Sequence, residues 1–576
     1  MKAFPSWLAG GLILGALAAA MAFHLVRVKP AVPPPKSAVG HEVDPAAADR
    51  AAGRVPELRR RLTADPAGSV DALATALRAV GAEVIDVPLR IVQPRTLRAA
   101  LRGADGADLG IAVHPMAPNG LQPVVTPEGG LHGRLMVVSS ARLGSAPRFD
   151  GHIAVVDTAN PPRELNLSWE RYAALGFAAM VVTHPDGIQA IDWAKTYSGM
   201  VTPAPINFPR AVADPGILAH DGAEVVLDLA QDLRSRDRRG LVARLSAAQP
   251  TDEAVVVVAT ADQVRAVLDL PADPVQDIGA AWTLAVAELL AADPAARRRD
   301  VLVVVAEGAA QAQDGLAQIA AAAGPLGSKN DAVRTRRSAE RDVLATERAI
   351  LAEAQSRAAG LFSDPAAALA GPAGQALRRE FAAVLGDDAL AAADRATLAA
   401  INLARTPGDK VAGQALIEAK RAESKANLLA TLEAEAAVRR YAALLAEQQI
   451  PGRLTARFTA RLAEFDRSLA QAETAVRIAA LTGRYQRAAV IGVQGIAGKR
   501  LAWHTFETPR ATTQAFIDWL TEAAGDAEAG SLLLPDRNYG GLAGGAIAGM
   551  ITPTNPWSIL GWSAATLVDA DASTLA

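Results

Sequence analysis

Hydrolytic chemistry in this chain would have to come from a few widely spaced side chains: Asp262, Asp277, Glu307 and His504. Carboxylates and imidazoles that converge can hold a metal ion, and a metal with one open position activates water. A zinc site of this kind wants His, Cys and carboxylate ligands together. Here there is no Cys, and no His lies between His220 and His504. Asp262 and Asp277 could hold a hard cation weakly, but two carboxylates without an imidazole suit zinc poorly. Each residue also has a plainer reading. Asp277 precedes a helical pattern, where a carboxylate satisfies free N–H groups, and Asp262 fits a similar capping role. Glu307 falls at a strand end facing solvent, and His504 ends a strand before a helix opening near Thr508 and Pro509. His152 and His184 read as polar surface residues.

The elements that must position these groups follow from hydrophobic patterning. Residues 254–259 and 300–306 are near-continuous apolar runs, the mark of strands covered on both faces. Between them Ile278, Trp282, Ala285 and Leu289 have helical spacing, giving a right-handed strand–helix–strand crossover. Upstream, residues 44–80 read as helical, with Leu58, Leu62, Val70, Leu73 and Leu77 as the apolar set, and residues 82–92 as a strand. Short β-branched runs at 134–138, 152–156, 179–183 and 224–228 are separated by turn residues. A helix over 168–176, ended by Gly176, lies between the second and third, and another short helix is expected around 213–221. After residue 484 the α/β pattern returns, with strands at 488–494 and 500–504 and a helix at 508–523. Residues 540–550 are apolar and Gly-rich but too short to span a membrane.

Residues 329–484 differ in kind. Val343, Leu344, Ile350, Leu351 and Ala358 recur at seven-residue intervals until Asp364 and Pro365 stop the run. Leu428, Leu432, Val438, Ala442 and Leu445 form an imperfect stripe interrupted by Glu435, and Phe458, Leu462, Phe465, Leu469, Ala472, Val476 and Ala479 a regular one. These are coiled-coil-like seams. The spacing predicts one helix over about 411–448, with Pro451 and Gly452 turning the chain into the next.

Apolar residues make up 51% of the chain and aromatics 4%, because alanine dominates. A net charge of −3 argues against a general nucleic-acid binder, and the lack of Cys excludes a disulfide framework. Lys2 precedes an apolar run from Trp7 to Val26, about 20 residues and long enough to span a bilayer. Ala20 to Ala22 also fits a signal-peptide cleavage pattern, and either reading exports the remainder. Pro30, Pro33, Pro34 and Pro35 make a stiff spacer after it.

Two adjacent blocks resemble known families. Residues 150–184 resemble a protease-associated domain, a small β-rich module found in or beside peptidases. The block after them resembles the co-catalytic zinc aminopeptidases, a family that includes glutamate carboxypeptidase and the transferrin receptor. That resemblance implies metal ligands and a general base at particular places. The first ligand, a His, is replaced by Thr260, followed by Asp262. The second motif keeps Asp277 but loses its Asn. In the third, a Glu pair that supplies the base and a ligand is replaced by Ala309 and Ala310. The lead-in of Arg297, Arg298 and Arg299 and the trailing Gly315 remain. Alanine neither moves a proton nor binds zinc.

The fold class expected is therefore α/β: an aminopeptidase-like mixed sheet flanked by helices. A β-rich protease-associated-like module, a long coiled-coil-like helical insertion and an N-terminal transmembrane helix complete it. The expected boundaries are an anchor or signal peptide at 1–29, a Pro-rich linker at 30–43, an α/β lead-in at 44–110 and the protease-associated-like domain at 111–250. The aminopeptidase-like domain follows in two parts, 251–328 and 485–576, around the insertion at 329–484. Thr260, Asp262, Asp277, Ala309 and Ala310 are the positions of a disabled catalytic site, so no catalytic residue, metal or cofactor is expected. The function expected is that of a non-catalytic, membrane-tethered extracytoplasmic protein that binds or assembles other proteins. Its partners would be other envelope or membrane proteins, the membrane itself, a second copy through the helical insertion, and no nucleic acid. The alternatives are an active zinc aminopeptidase with an atypical site at Asp262, Asp277, Glu307 and His504, and a structural coiled-coil spacer.

Overall fold

The computed structural model describes residues 34, 36, 45–63, 69–116, 123–145, 147–162, 165, 169–188, 191, 207–262, 279–308, 314–326 and 329–493, with the backbone of three later strands. The apolar run at 7–26, Asp277, Ala309, Ala310 and the helix expected at 508–523 lie outside these residues. Among the described helices, none is long and apolar enough to cross a membrane. The chain forms two compact units, residues 1–334 with 477–576, and residues 335–476.

The first unit is built on one 13-stranded sheet. Its strands are β1 (Glu83–Gly103), β2 (Val113–Pro115), β3 (Leu131–Val137), β4 (His152–Asp157), β5 (Ala179–Thr183), β6 (Arg210–Ala213), β7 (Glu224–Leu245), β8 (Glu253–Thr260), β9 (Asp300–Ala306), β10 (Arg487–Val493), β11 (Leu501–Thr505), β12 (Leu533–Pro535) and β13 (Ser563–Asp569). The order is β12-β11-β13-β10-β8-β9-β7-β3-β4-β5-β6-β2, with β1 paired to β7. Strands β13, β10, β8 and β9 run parallel, as the strand–helix–strand pattern predicts. Their dense Val content reflects burial on both faces: every residue of β9 is buried. On one face lie α1 (Pro45–Thr63), α2 (Ser69–Ala79) and α4 (Gly279–Ala292), where Val55, Leu58, Leu73, Leu77 and Leu284 pack on Val257, Val303 and Val305. Each such Leu contributes about 1.5–3 kcal/mol by leaving water.

Strand β7 joins this half to the other. Its end, Gly240–Leu245, pairs with β9, and its start, Glu224–Leu227, pairs with β3. Along almost all of its length it also pairs antiparallel with β1. The strand of the expected α/β lead-in, β1, thus belongs to the main sheet. In the region expected to be a protease-associated-like module, β3, β4, β5 and β6 all run the same way and form a parallel α/β layer. Its strands are covered on both faces. Trp169 and Tyr172 of α3 (Trp169–Ala174) join Phe149, Phe177 and Phe208 on one side, while Ile153, Val155, Val181 and Ile217 cluster on the other.

At the amino edge of the parallel strands, Asp300 is 3% exposed yet fully engaged. It accepts from Arg244 Nε, from the Tyr485 hydroxyl and from the Ala247 N–H, each at 2.7 Å. Burial pushes the Tyr485 hydroxyl well above the usual phenol range. Glu253 accepts from Arg299 Nε at 2.8 Å and from the backbone N–H of Lys36 at 3.1 Å.

Helices α5 (Asp314–Ala323), α6 (Lys329–Arg357), α7 (Gly371–Arg405), α8 (Lys410–Thr431), α9 (Ala434–Glu447) and α10 (Ile450–Thr482) follow β9. The second unit has one core, in which Leu351, Leu361, Leu377, Phe381, Val438, Leu445, Leu454 and Phe458 pack together. Val343, placed on a seam by its spacing, is 57% exposed. The single helix expected over 411–448 is two, because Leu432 and Glu433 are extended at ψ 147° and 141°. The next turn lies at Gln448 and Gln449, where Gln449 has φ 58°. Pro451 instead sits in the first turn of α10, where its missing N–H costs nothing. The 35-residue α7 carries no strong stripe in its second half, because its buried positions from 389 onward are all alanine.

Candidate functional site

In open α/β sheets, ligands bind beyond the carboxyl ends of the parallel strands. Here that edge is formed by the ends of β8 and β9. Thr260 closes β8 opposite Ala306, and the Ala261 N–H donates to the Ala306 carbonyl at 2.9 Å, extending the ladder by one step. Asp262 follows at once. Both of its carboxylate oxygens accept from the Gly308 N–H, each at 2.8 Å. The acid therefore fastens the turn after β9 to the turn after β8, which suits its half-buried position.

Glu307 is equally committed. Its N–H donates to the Arg239 carbonyl at 3.1 Å, and its Oε2 accepts from the Arg239 N–H at 2.8 Å. Burial raises its pKa above the usual carboxylate value, and the Asp262 charge adds to the rise. The bond from Arg239 and the charges of Arg238 and Arg239 oppose it. It is a strand-end Glu, as its place in the sequence implies, but half-buried and bonded rather than facing solvent.

Two glycines allow this compression. Gly308 has φ +106°, and a Cβ there would meet Ile91 Cδ1 at 2.6 Å. A Cβ on Gly315 would lie 2.0 Å from the Glu307 carbonyl oxygen. Gly315 thus keeps the start of α5 against the strand end. Next to it, burial raises the pKa of Asp314, whose Oδ2 accepts from Gln318 Nε2 at 3.2 Å. On the far side of β8, a Cβ on Gly279 would stand 2.6 Å from the Val493 carbonyl, so α4 begins hard against the end of β10.

His504 is not brought to this edge. Its register partner is Thr566, whose partner is Gly492, whose partner is Val258. The backbone of His504 is therefore level with Val258, two residues short of Thr260, and three strands away, about 14 Å at ordinary strand spacing. In this register the backbone of His504 is thus set apart from Asp262 and Glu307. Among the described residues, no group of three or more His, Cys, Asp or Glu could hold a metal ion. Elsewhere, His184 Nδ1 accepts from the Asp186 N–H at 3.1 Å, and His152 Nδ1 lies 3.2 Å from the Asp150 carbonyl oxygen; both are local turn contacts.

Sequence reasoning passed over Arg238, Arg239 and Ile91. They reach the edge on the paired strands β1 and β7, whose long alternating patterns were the available signal.

No known protein family matches the chain, and no curated protein does. Several solved structures resemble it. The aminopeptidase from Aneurinibacillus sp. strain AM-1 is 12% identical with a TM-score of 0.30, over 47% of this chain and 66% of that one. BSAP, a zinc aminopeptidase from Bacillus subtilis, is 15% identical with a TM-score of 0.33, over 49% and 66%. A peptidase M28 precursor from Shewanella amazonensis SB2B is 16% identical with a TM-score of 0.32, over 45% and 67%. The chain spans just under two thirds of the first two. These neighbours are of the class that residues 253–320 resemble in sequence. At such scores the likeness carries no argument by itself, and the roles of Thr260, Asp262 and Glu307 rest on their own contacts.

Proposed function

We propose that this chain is a non-catalytic, membrane-tethered extracytoplasmic protein that uses a peptidase-like scaffold to bind or assemble other proteins. The observation that carries the reading is the use made of the two acids at the carboxyl edge. Asp262 and Glu307 each accept from a backbone N–H, so both carboxylates already brace the main chain, Asp262 at the turn holding Gly308 and Glu307 at Arg239 of β7. Thr260, with no imidazole, stands where the sequence resemblance implies a ligand. A general base must reach the proton it takes, and a hydrolytic metal needs several convergent donors. In this reading residues 111–250 correspond to the protease-associated-like module, the apolar run at 7–26 is the anchor, and the helices supply a binding surface.

Elemental analysis of the purified chain, with release of amino acids from unblocked peptides, tests the loss of catalysis. The expected result is no stoichiometric metal and no chelator-sensitive release. Stoichiometric metal with chelator-sensitive turnover would overturn the reading. Retention in the membrane pellet after alkaline carbonate extraction tests the tether separately.

A further inference from the structure

Within the helical unit, α7 and α8 form an antiparallel hairpin around a turn at residues 406–409, and its packing is inverted. Over the part of α7 next to the turn the buried positions are small, Ala389, Ala392, Ala396 and Ala399, and they face Ala419 on α8; the large buried residues, Leu377, Phe381 and Leu429, lie farther from the turn. Several large apolar residues face out. Leu390 and Leu398 are 65% and 62% exposed, and Ile401, Ile417 and Leu428 are 44%, 50% and 47% exposed. A hairpin folded only for itself would place these inside, so this concentration of apolar surface marks an interaction site.

The outward residues fall on two stripes. At 3.6 residues per turn, Leu390, Asp394, Leu398 and Ile401 share one side of α7, roughly opposite its buried alanines. Ile417, Arg421 and Leu428 share one side of α8, roughly opposite Ala419. The stripes therefore point away from each other. They are also complementary, because the ionic member is Asp394 in one and Arg421 in the other. Both are exposed, and neither has an ion pair or hydrogen bond among the described residues. Their levels match: Asp394 lies twelve residues before Thr406, and Arg421 twelve after Asp409. Leu398 and Ile417 are each eight residues from the same turn ends.

We propose that these stripes are occupied by further copies of this chain, α7 of one copy lying antiparallel on α8 of the next with the turns aligned. Leu398 then meets Ile417, and Asp394 meets Arg421, in a repeat of the pairing inside each hairpin. Because the two faces differ and lie on opposite sides, the contact is heterologous and closes into a ring or continues as a row. A lipid surface fits less well, since Asp394 interrupts the stripe of α7. Twenty residues of helix present a strip about 30 Å long and about 10 Å wide, on the order of 300 Å² per copy. That is well below the roughly 800 Å² per partner of a stable pair. A single contact is accordingly weak, and the assembly depends on copies being held at high local concentration, as a shared membrane would do. The pairing itself stands whether or not the sheet's carboxyl edge is catalytic.

The chain has no cysteine, so introduced ones report without background. Full-length, differently tagged Leu398→Cys and Ile417→Cys chains are co-expressed and mildly oxidised in membranes. The expected result is a mixed disulfide-linked dimer, with each variant monomeric alone and the double variant forming a ladder beyond the dimer. Asp394→Arg or Arg421→Asp should lower the mixed product severalfold, and combining them should restore it, with unchanged melting curves. Three results would each overturn the proposal. They are a like-with-like dimer of Leu398→Cys, no mixed product from chains that melt normally, or quenching of a fluorophore at position 398 by lipid-borne quenchers. Carbonate extraction of the same membranes reports the tether independently.

Discussion

The two edges of the parallel strands use their acids differently. At the amino edge Asp300 gathers a guanidinium, a phenol and a backbone N–H, and Glu253 takes Arg299. At the carboxyl edge Asp262 and Glu307 hold the backbones of Gly308 and Arg239. The first edge balances buried charge with opposite charge. The second uses one carboxylate to staple two turns together and the other to hold the neighbouring strand β7, at the end of the sheet where this architecture normally places its chemistry. The difference shows that acidic residues at a favoured position can serve the backbone rather than one another's charge.

The sharpest test of the contrast is Asp300→Ala, which would leave the buried Tyr485 hydroxyl and the Ala247 N–H without their acceptor and Arg244 with only the more distant Glu83. It should destabilise the protein by about 3–5 kcal/mol in denaturant melts. Gly315→Ala comes next, since the added methyl meets a backbone oxygen that has no room to yield. About 3 kcal/mol is expected, near the top of the range for overpacking. If Gly315→Ala melts like the parent, the strand end is looser than described and the stapling account fails. Asp262→Ala should cost about 2 kcal/mol, the scale of a hydrogen bond to a charged group. It should leave any measured binding function intact. A loss of metal or activity without a loss of stability would instead make Asp262 a ligand.

Glu307→Gln should have the smallest effect, under about 1 kcal/mol at neutral pH, because the amide oxygen still accepts from Arg239. Its pH dependence is informative. The folded-state pKa of Glu307 lies above its ordinary 4.5, so the folded protein holds this proton more tightly than the unfolded chain. The contribution is present below 4.5 and is lost as pH rises through the raised value. Melting temperatures of the parent relative to Glu307→Gln should therefore fall as pH climbs through that window. A flat difference would place Glu307 in a more solvated setting.

Much of the fold was legible because its signals are local. The valine runs of β8 and β9 and the helical spacing of α4 mark a buried crossover, and Gly176, at φ +90°, ends α3 as its position suggests. The failures are equally specific. The pairing of β1 with β7 joins Glu83 to Arg244, far apart along the chain, and no local pattern states it. The second half of helix α7 carries no readable stripe because its buried positions are alanine, which gives little amphipathic contrast. Pro451 suggests a turn in sequence yet opens α10, because proline is as much at home in the first turn of a helix as in a loop.

Composition and order alone determined which groups are missing: no thiol anywhere, no imidazole from 221 to 503, and alanines at 309 and 310. Those are facts of covalent chemistry, and folding cannot restore them. What Asp262 and Glu307 do was decided only by tertiary structure, because their partners Gly308 and Arg239 lie 46 and 68 residues away. The same holds for the hairpin, where only packing could turn the alanines inward and the leucines out.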